Sequence, residues 1–417
     1  MGRGCQAGEW RRGCSDSGGA GAMYIIVLNS SYDPGIRSPV ELLSRYRTMP
    51  GCSGGTFAAA REAGYSYPRV TVGQRFHHDA AIQSGGVAYH FVADGLGSEL
   101  GWWQGSSALE FVAVGECRAA QREGLPAVVH LHGLVHAAMV PRLRRALPTG
   151  VPIVVQHHAE KPRAGLPGLY LRWALSGVDG VFFAARGLVD PWIRQGAINP
   201  KTPVFEVMEG STDFSRIDLP EARRRTGMDG SPVVLWVGRL DDNKDPLTVL
   251  AGLEAVLPGF PGARIYMAHG EPSPLVGVVR HRIAGSEVLR RSVELLGSVP
   301  HSRMEAIFSS ADYFILGSRY EGSGFALAEA LACGVVPIVT DIPSFRMMTD
   351  GGAIGALWTP GDPEALASAV IEVLGRPLAE QSRAARLFFD RRLSYAAIGR
   401  ASVAAYERVM KTRNPRV

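Results

Sequence analysis

Residues 320–334 read YEGSGFALAEALACG, a stretch that places one carboxylate in a glycine-bearing loop and a second inside a short helix. The apolar run Tyr313–Leu316 before it predicts a buried strand, and the run 335–339 after it predicts another. A strand, a glycine turn and a helix N-terminus together make an anion site, because free backbone N–H groups and the helix dipole point at the ligand. Glu321 and Glu329 are separated by about 12 Å at most along a helix. Because this separation excludes a shared acid/base role, we expect them to hold two parts of one long ligand, such as a sugar nucleotide.

Strands and helices alternate on both sides of this stretch. Apolar runs at 24–28, 87–92, 127–131, 153–155 and 181–184 predict strands in the first half, and runs at 233–237, 265–268 and 313–316 predict strands in the second. Continuous apolar strands separated by helices indicate parallel sheets covered on both faces. We therefore predict an α/β fold with two Rossmann-like doubly wound domains that face each other across a cleft.

The pattern also predicts where these domains begin and end. We place the first domain at 23–203, a linker at 204–220 and the second domain at 221–390. A helix in 391–417 is a candidate to return to the first domain. Residues 1–22 are rich in Gly, Arg and Ser, so we interpret them as a disordered tail or a mis-called start.

Length and composition exclude several classes of protein. The 417 residues suffice for two domains, and the formal net charge of +5 is too modest to indicate a nucleic-acid binder. The five cysteines form no CxxC pair, which favours a reducing compartment over a zinc or disulfide scaffold. No run approaches 18 uninterrupted apolar residues, and 1–22 lack the apolar core of a signal peptide. We expect a cytoplasmic protein.

A second motif, LWVGRLDDNKDPL, occupies residues 235–247. Gly238 and Arg239 are predicted at the end of a strand. Lys244 lies just before a helix that has Asp at its N-cap and Pro at its first position. An Arg and a Lys in one loop at a sheet's carboxyl edge suit a diphosphate. Two solvated surface cations are the alternative, but the chain has only four Lys among its 44 basic residues, which makes a Lys at this position informative.

Together, in this order and at these strand–helix junctions, the two motifs resemble the donor site of the GT-B glycosyltransferases of family 4. The resemblance extends from about residue 23 to residue 406. It implies that Arg239 and Lys244 hold the donor diphosphate, that Glu321 contacts hydroxyl groups of the donor sugar, and that Glu329 contacts the ribose. Backbone N–H groups near Ser323 would face the phosphate and sugar. The donor-binding residues that it implies are Gly35, Gly238, Gly322, Ser323, Gly324, Phe325 and Glu329.

The first domain offers candidates on the acceptor side. HLHG at 130–133 follows an apolar run, and His132 resembles the histidine that lies near the sugar-transfer centre in this family; a packed strand-end histidine is the alternative. We expect the side chains of His130 and His132 to leave the strand on opposite faces and not to share a metal ion. Gly35 stands alone where many family members carry a glycine pair. EGS at 209–211 differs from the Asn-Gly-Val type that is common in the linker.

The resemblance implies a reaction. Asp-x-Asp does not occur in the chain, which agrees with a metal-independent transfer that retains the anomeric configuration. Cations and helix dipoles would stabilise the leaving diphosphate, and the leaving oxygen would take the acceptor proton. A nucleoside-diphosphate sugar is then the co-substrate, with no further cofactor. The alternatives are a sugar-nucleotide epimerase, a phosphorylase-like transferase, or a non-catalytic nucleotide-sugar-binding protein.

The acceptor stays open at this point: a saccharide, a glycolipid or a small molecule. A lipid-linked acceptor would require peripheral contact with the inner membrane face. Arg142, Arg144 and Arg145 are candidates for a basic face on one helix, and a solvated helix face is the alternative. The sequence does not indicate an oligomeric state.

Overall fold

The computed structural model describes residues 23–29, 38–40, 42–43, 69–93, 107–271 and 273–413. The described strands form two sheets, of eight and six strands. The predictions for 1–22 and for Gly35 lie outside the described residues.

The first sheet has the strand order β3-β4-β2-β1-β5-β6-β7-β8. Its strands are β1 (Tyr24–Asn29), β2 (Arg69–Phe76), β3 (Ala80–Ser84), β4 (Val87–Ala93), β5 (Ala127–His132), β6 (Ile153–Gln156), β7 (Gly180–Phe183) and β8 (Val204–Glu206). All neighbours pair in parallel except β3 and β4. These two form a hairpin around Gly85 and Gly86, whose positive φ values of 57° and 73° fit a two-residue turn.

The second sheet is parallel, with the order β11-β10-β9-β12-β13-β14. Its strands are β9 (Val233–Gly238), β10 (Arg264–His269), β11 (Val293–Gly297), β12 (Tyr313–Leu316), β13 (Val336–Thr340) and β14 (Ala356–Trp358). The order runs outward from β9 to β11, then resumes at β12 on the other side of β9. Ligands of doubly wound sheets bind at the carboxyl ends of the strands where the order reverses. For this sheet that point lies between β9 and β12.

Helices connect these strands. They are α1 (Ser107–Arg122), α2 (Val140–Ala146), α3 (Gly165–Leu175), α4 (Asp190–Arg194), α5 (Leu219–Thr226), α6 (Pro246–Val256), α7 (Val276–Ala284), α8 (Glu287–Ser292), α9 (His301–Ser310), α10 (Phe325–Ala332), α11 (Pro343–Met348), α12 (Pro363–Leu374), α13 (Leu378–Phe388) and α14 (Tyr395–Arg413). The predicted α/β fold with two doubly wound sheets is confirmed. None of the helices in the described ranges combines the length and the apolarity that are needed to cross a bilayer.

The connection between the sheets is shorter than the predicted linker at 204–220. Residues 204–206 form β8 and pair with β7, and α5 begins at Leu219. Both elements give weak apolar signals, because β8 is a three-residue edge strand and α5 is short and rich in Arg.

The last helix, α14, packs against the first sheet. The Tyr406 hydroxyl lies 2.5 Å from His130 Nδ1, and Arg413 Nη1 lies 2.5 Å from Asp179 Oδ1. Tyr406 is completely buried, and its ring stacks on Phe182 of β7 with a centroid distance of 5.4 Å. The chain therefore crosses from the second sheet back to the first.

Candidate functional site

The two sequence motifs meet at the carboxyl edge of the second sheet, between β9 and β12. The Lys244 ammonium forms an ion pair with the Glu321 carboxylate, and these side chains are only 17% and 13% exposed. Lys244 lies in the loop after β9, and Glu321 lies in the loop after β12. The pair therefore stands at the point where the strand order reverses.

Hydrogen bonds to main-chain carbonyls hold these two loops together. Asn243 Nδ2 donates to the Tyr320 carbonyl at 3.0 Å, and the Arg319 N–H donates to the Asn243 carbonyl at 2.8 Å. Within the first loop, the Lys244 N–H donates to Asp241 Oδ1 at 2.9 Å. The relative position of Lys244 and Glu321 is therefore set by main-chain contacts as well as by their own charges.

The N-terminus of α6 fixes the backbone next to Lys244. Asp245 is the N-cap residue, as predicted, and its side chain accepts from the Thr248 N–H. Its φ of 44° is uncommon for a residue other than glycine, and Arg319 Nη2 holds its carboxylate at 2.6 Å. Gly238 ends β9 against the Lys244 side chain, where an added Cβ would lie 3.3 Å from Lys244 Cγ.

Arg239 lies at the same edge with a different partner. Its guanidinium is 3.2 Å from the Asp241 carboxylate, and its side chain is 59% exposed. The structure therefore places both predicted cations on one loop, but it buries only Lys244 in an ion pair with Glu321.

The loop after β12 leads into the N-terminus of α10, which begins at Phe325. Gly324 is the N-cap, and its φ of 59° and ψ of 51° place it in the left-handed region that favours glycine. Gly322 approaches the first domain so closely that an added Cβ would lie 2.6 Å from Ala159 Cβ. The Ser344 hydroxyl lies within hydrogen-bond distance of the Glu321 and Gly322 carbonyls, at 2.6 and 3.0 Å. These contacts fix the loop in front of the helix dipole.

Glu329 lies on α10, and its carboxylate pairs with His301, the first residue of α9. Its Oε1 is 3.2 Å from His301 Nε2, and its side chain is 13% exposed. The hydrogen bond to Glu329 raises the pKa of His301; burial opposes this shift and the Glu329 charge adds to it. The ring of Phe214, in the connection between the domains, lies 5.0 Å from the His301 ring. Glu321 and Glu329 therefore have separate partners.

The first domain contributes a buried cluster of histidines at the end of β5. The rings of His130 and His132 stack with centroids 4.8 Å apart. The expectation that they point to opposite faces was wrong, because side chains two residues apart in a strand share a face. Burial and the charge of His158 lower the pKa of His130 to about 3. Burial, followed by the charges of the neighbouring histidines, lowers the pKa of His132 well below its usual value.

A chain of polar contacts joins this cluster to the loop of the second domain. His132 Nδ1 lies 2.7 Å from His158 Nε2, and His158 Nδ1 contacts the Glu209 carboxylate. The Ser323 hydroxyl donates to the same carboxylate from the other side. Burial acts to lower the pKa of His158, but the hydrogen bond to Glu209 and the charges of Glu209 and Glu160 outweigh it, so this pKa is raised.

The rim of the cleft is closed by contacts around Glu160. The Tyr320 hydroxyl donates to the Glu160 carbonyl at 3.4 Å, and Glu160 Oε2 accepts from the His158 N–H at 2.5 Å. Burial, together with the charges of Glu160, Glu209 and Glu321, raises the pKa of Tyr320 to about 12. Within the described part of the chain, no group of three or more His, Cys, Asp or Glu side chains is placed to hold a metal ion.

Sequence reasoning missed several residues of this site. In the sequence, Glu209 stands out only as a departure from a family pattern, and His158, after the apolar run 153–155, is a weaker strand-end candidate than His132. Asn243 and Ser344 carry no signal of their own. Their partners are far away in sequence: Glu209 and Ser323, for example, are separated by 114 residues. The one available signal was the acidic residue in a linker that usually carries Asn.

Comparisons with known proteins agree with this architecture. Residues 231–376 match the family model described as glycosyl transferases group 1. The chain is 34% identical over 120 residues to the GDP-mannose:cellobiosyl-diphosphopolyprenol alpha-mannosyltransferase of Xanthomonas oryzae pv. oryzae, covering 28% of this chain and 31% of that protein. It is 26% identical over 284 residues to the glycogen synthase of Mycobacterium tuberculosis, covering 63% of this chain and 64% of that protein. The matched part of the chain thus spans less than two thirds of the length of each of these relatives.

The fold has close counterparts among solved structures. The glycosyltransferase from Rickettsia africae superposes with a TM-score of 0.65 at 14% sequence identity, covering 93% of this chain and 99% of that one. At this identity the likeness shows the fold. Taken with the family match over β9–β14, this likeness gives the chain a GT-B architecture whose second sheet, within residues 231–376, matches the glycosyl transferases group 1 model.

Proposed function

We propose that this protein is a retaining, metal-independent glycosyltransferase that moves a sugar from a nucleoside-diphosphate sugar to an acceptor. The observation that carries the proposal is the Lys244–Glu321 ion pair at the reversal point of the second sheet, beside the N-terminus of α10. A diphosphate linked to a sugar offers an anion to the ammonium and hydroxyl donors to the carboxylate. One ligand would therefore replace both halves of the pair.

The other groups that would contact the donor lie at the same carboxyl edge of the second sheet. Arg239 would reach the diphosphate from the loop after β9, and the first N–H groups of α10 would face it along the helix dipole. Glu329, which lies farther along α10 beside His301, would bind the ribose hydroxyls. Gly238 would let the Lys244 stem pass close to the backbone, and Gly322 and Gly324 would let the loop approach the ligand.

The chemistry would be carried by the leaving group. The bond between the anomeric carbon and the phosphate oxygen breaks, and the acceptor oxygen bonds to the same face of that carbon. The leaving phosphate oxygen takes the acceptor proton. Lys244, Arg239 and the dipole of α10 would stabilise the charge that develops on the diphosphate.

His132 would border the sugar from the first domain. Because its pKa lies well below neutrality, it would act as a hydrogen-bonding group and not as a cation. When His158 is protonated, its Nε2–H donates to His132 Nδ1, which leaves the His132 proton on Nε2. Glu209 would thereby control which ring nitrogen of His132 donates.

The activities named for the relatives support a nucleotide-sugar donor and leave the acceptor open. One relative takes GDP-mannose and a diphosphopolyprenol acceptor, and the other is a glycogen synthase. A lipid-linked acceptor and a soluble polysaccharide are therefore both represented.

Thermal-shift measurements on the purified chain, with a panel of nucleotides and sugar nucleotides and no added metal, test the proposal. We expect one nucleoside diphosphate and its sugars to raise the melting temperature selectively. Glu329→Ala should abolish that shift, while Glu380→Ala, on the exposed side of α13, should keep it. A shift that survives in Glu329→Ala, or no shift with any nucleotide, would contradict the proposed donor site.

A second measurement separates transfer from the alternatives. With the stabilising sugar nucleotide alone, proton NMR should show the donor unchanged apart from slow hydrolysis, and adding an acceptor panel should release nucleoside diphosphate. Conversion to an epimeric sugar nucleotide without acceptor would indicate an epimerase. Binding without turnover across the whole panel would indicate a non-catalytic protein.

A further inference from the structure

Helix α3 exposes an apolar face to solvent. Leu166, Leu169, Tyr170 and Trp173 are 81%, 56%, 37% and 57% exposed. Their spacing of three, four and seven residues places them on one side of the helix. We call these four side chains the α3 stripe. Together they expose on the order of 400 Å² of largely apolar surface, a size that on a monomer usually marks a binding site.

The opposite face of α3 explains why the stripe is not needed for folding. Leu171, Ala174 and Leu175 are buried and anchor the helix to the first domain. The helix is therefore apolar on both sides, although one side would suffice to hold it in place. A surface helix that serves only the fold would carry polar residues on its outer face.

The chain segment that carries the stripe has a positive net charge. The segment from Lys161 to Val178 contains Lys161, Arg163 and Arg172 and no Asp or Glu. All three cations are exposed. This composition fits an anionic surface and opposes contact with a second copy of the same face, because a two-fold contact would bring the cations together.

The basic run on α2 that the sequence suggested does not have this character. Arg142 pairs with Glu110 at 2.6 Å. Arg144 pairs with Asp179 and donates to the Gly177 and Val151 carbonyls at 2.7 and 2.9 Å. Carboxylates thus pair with two of the three cations of this helix.

The segment just before α3, which begins at Gly165, adjoins the mouth of the cleft. Lys161 Nζ lies 5.2 Å from the centre of the Tyr320 ring, and Tyr320 directly precedes Glu321. The Glu160 carbonyl accepts from the Tyr320 hydroxyl at 3.4 Å. A surface that bound the stripe would therefore lie next to the opening between the two domains.

We propose that the α3 stripe docks this protein onto the interfacial layer of an anionic lipid bilayer. Trp and Tyr side chains combine an apolar ring with a polar tip and are enriched at membrane interfaces. A short helix that lies in the plane of the interface, with apolar side chains among the acyl chains and cations at the headgroups, binds by burial and charge together. Combined with the proposed function, on which this last step alone rests, docking points to an acceptor carried on a lipid.

Co-sedimentation of the full chain with vesicles tests the docking without donor or turnover. We expect binding to phosphatidylcholine vesicles containing one quarter phosphatidylglycerol, and much weaker binding to phosphatidylcholine alone or at high salt. The double variant Leu166→Asp/Trp173→Asp should lower the partition coefficient at least tenfold. The matched control Ile371→Asp/Leu387→Asp changes similarly exposed residues of the second domain, 57% and 48% exposed, and should bind like the wild type.

Other results would overturn the proposal. One is a wild-type chain that stays in the supernatant with every vesicle composition. Another is a stripe variant that sediments like the wild type. The third is a control variant that loses as much vesicle binding as the stripe variant. A dimer that the stripe variant disrupts, with no vesicle binding, would assign the face to self-association instead. Melting curves and the nucleotide-induced shift of the stripe variant check that it is folded and that its donor site is intact, so failure of docking is distinguishable from failure of the proposed reaction.

Discussion

Lys244 shows how one side chain links the fold to the proposed chemistry. It lies on a loop whose shape is set by Asp241 and by the N-cap Asp245, and its ammonium is held by Glu321. Both charges are largely removed from water, so each depends on the other in the free protein. A donor diphosphate would take the place of Glu321 as the partner of the ammonium.

We expect Lys244→Ala to lower turnover by about 10²–10³-fold, because it removes a cation from a developing negative charge. The free energy of unfolding should fall by only about 1–3 kcal/mol, the cost of leaving the Glu321 carboxylate without its partner. Steady-state rates and urea unfolding of the same preparation measure the two effects. Lys411→Ala, on the exposed end of α14, is the control and should change neither.

Proportional losses of rate and stability in Lys244→Ala would assign the residue a structural role only. Partial recovery of turnover in Lys244→Arg, which keeps the charge but changes its geometry, would support the electrostatic one.

At the scale of elements, the long apolar strands were predictable and the edge strands were not. The predicted runs at 24–28, 127–131 and 313–316 match β1, β5 and β12 to within one residue. Such strands lie in the middle of a sheet, and their own composition reports their burial. In contrast, β2 escaped prediction although it lies inside the sheet, because polar residues and Gly73 interrupt its apolar pattern. The strands β3, β11 and β14 escaped because they are short edge strands, and in β3 and β11 most residues are only partly buried.

The same limit applies to the candidate site. Its motif residues were visible because each follows a strand and precedes a helix in sequence. The Glu209–His158 and Glu209–Ser323 contacts were not visible, because they join segments that only the packing of two domains brings together. The sequence pattern therefore predicted the residues of the donor site better than it predicted the contacts between the two domains.

Helix α10 depends on Gly324 at its N-terminus. We expect Gly324→Ala to destabilise the protein by about 1–3 kcal/mol, because alanine is strained at a φ of 59° and its Cβ would lie 2.9 Å from Phe345 Cε1. Relief of that contact would shift the start of α10, so nucleotide affinity should fall as well. Chemical unfolding and nucleotide titration measure both.

Gly227→Ala is the matched control. Gly227 has a φ of 74° and no atom within 4 Å of an added Cβ, so the variant carries the backbone strain without the crowding. It should lose some stability and keep full nucleotide affinity. If Gly324→Ala also keeps full affinity, the N-terminus of α10 does not contribute to the donor site.

At the scale of the whole molecule, the two domains are joined by polar contacts as well as by the chain. Glu209, from the connection, contacts His158 of the first domain and Ser323 of the second. Helix α14 also crosses back to the first domain and places Tyr406 against His130. His130 and His132 stack on each other, so the returning helix and the interdomain contact converge on one histidine cluster. The geometry of the cleft and the seating of α14 are therefore expected to be coupled.

This convergence predicts a pH-dependent contribution to stability. Glu209 and Glu160 face His158 and favour its charged form, whereas burial opposes it, and the net effect raises its pKa. The folded protein therefore holds this proton more tightly than the unfolded chain, in which the pKa is about 6.5. The resulting stabilisation is fully present below that value and is lost as the pH rises through the higher pKa of the folded state.

Glu209→Gln should accordingly be less stable than the wild type by about 1.5–3 kcal/mol at pH 6, the range for a hydrogen bond to a charged group, and the difference should shrink as the pH is raised to 8. Thermal or urea unfolding at both pH values measures it. His158→Gln removes the titrating group, so adding Glu209→Gln to that background should give a difference that is the same at both pH values. The opposite result is a loss from Glu209→Gln that is the same at pH 6 and pH 8, and the same in the wild-type and His158→Gln backgrounds. It would show that Glu209 stabilises the cleft through Ser323 alone and that no proton is held between the domains.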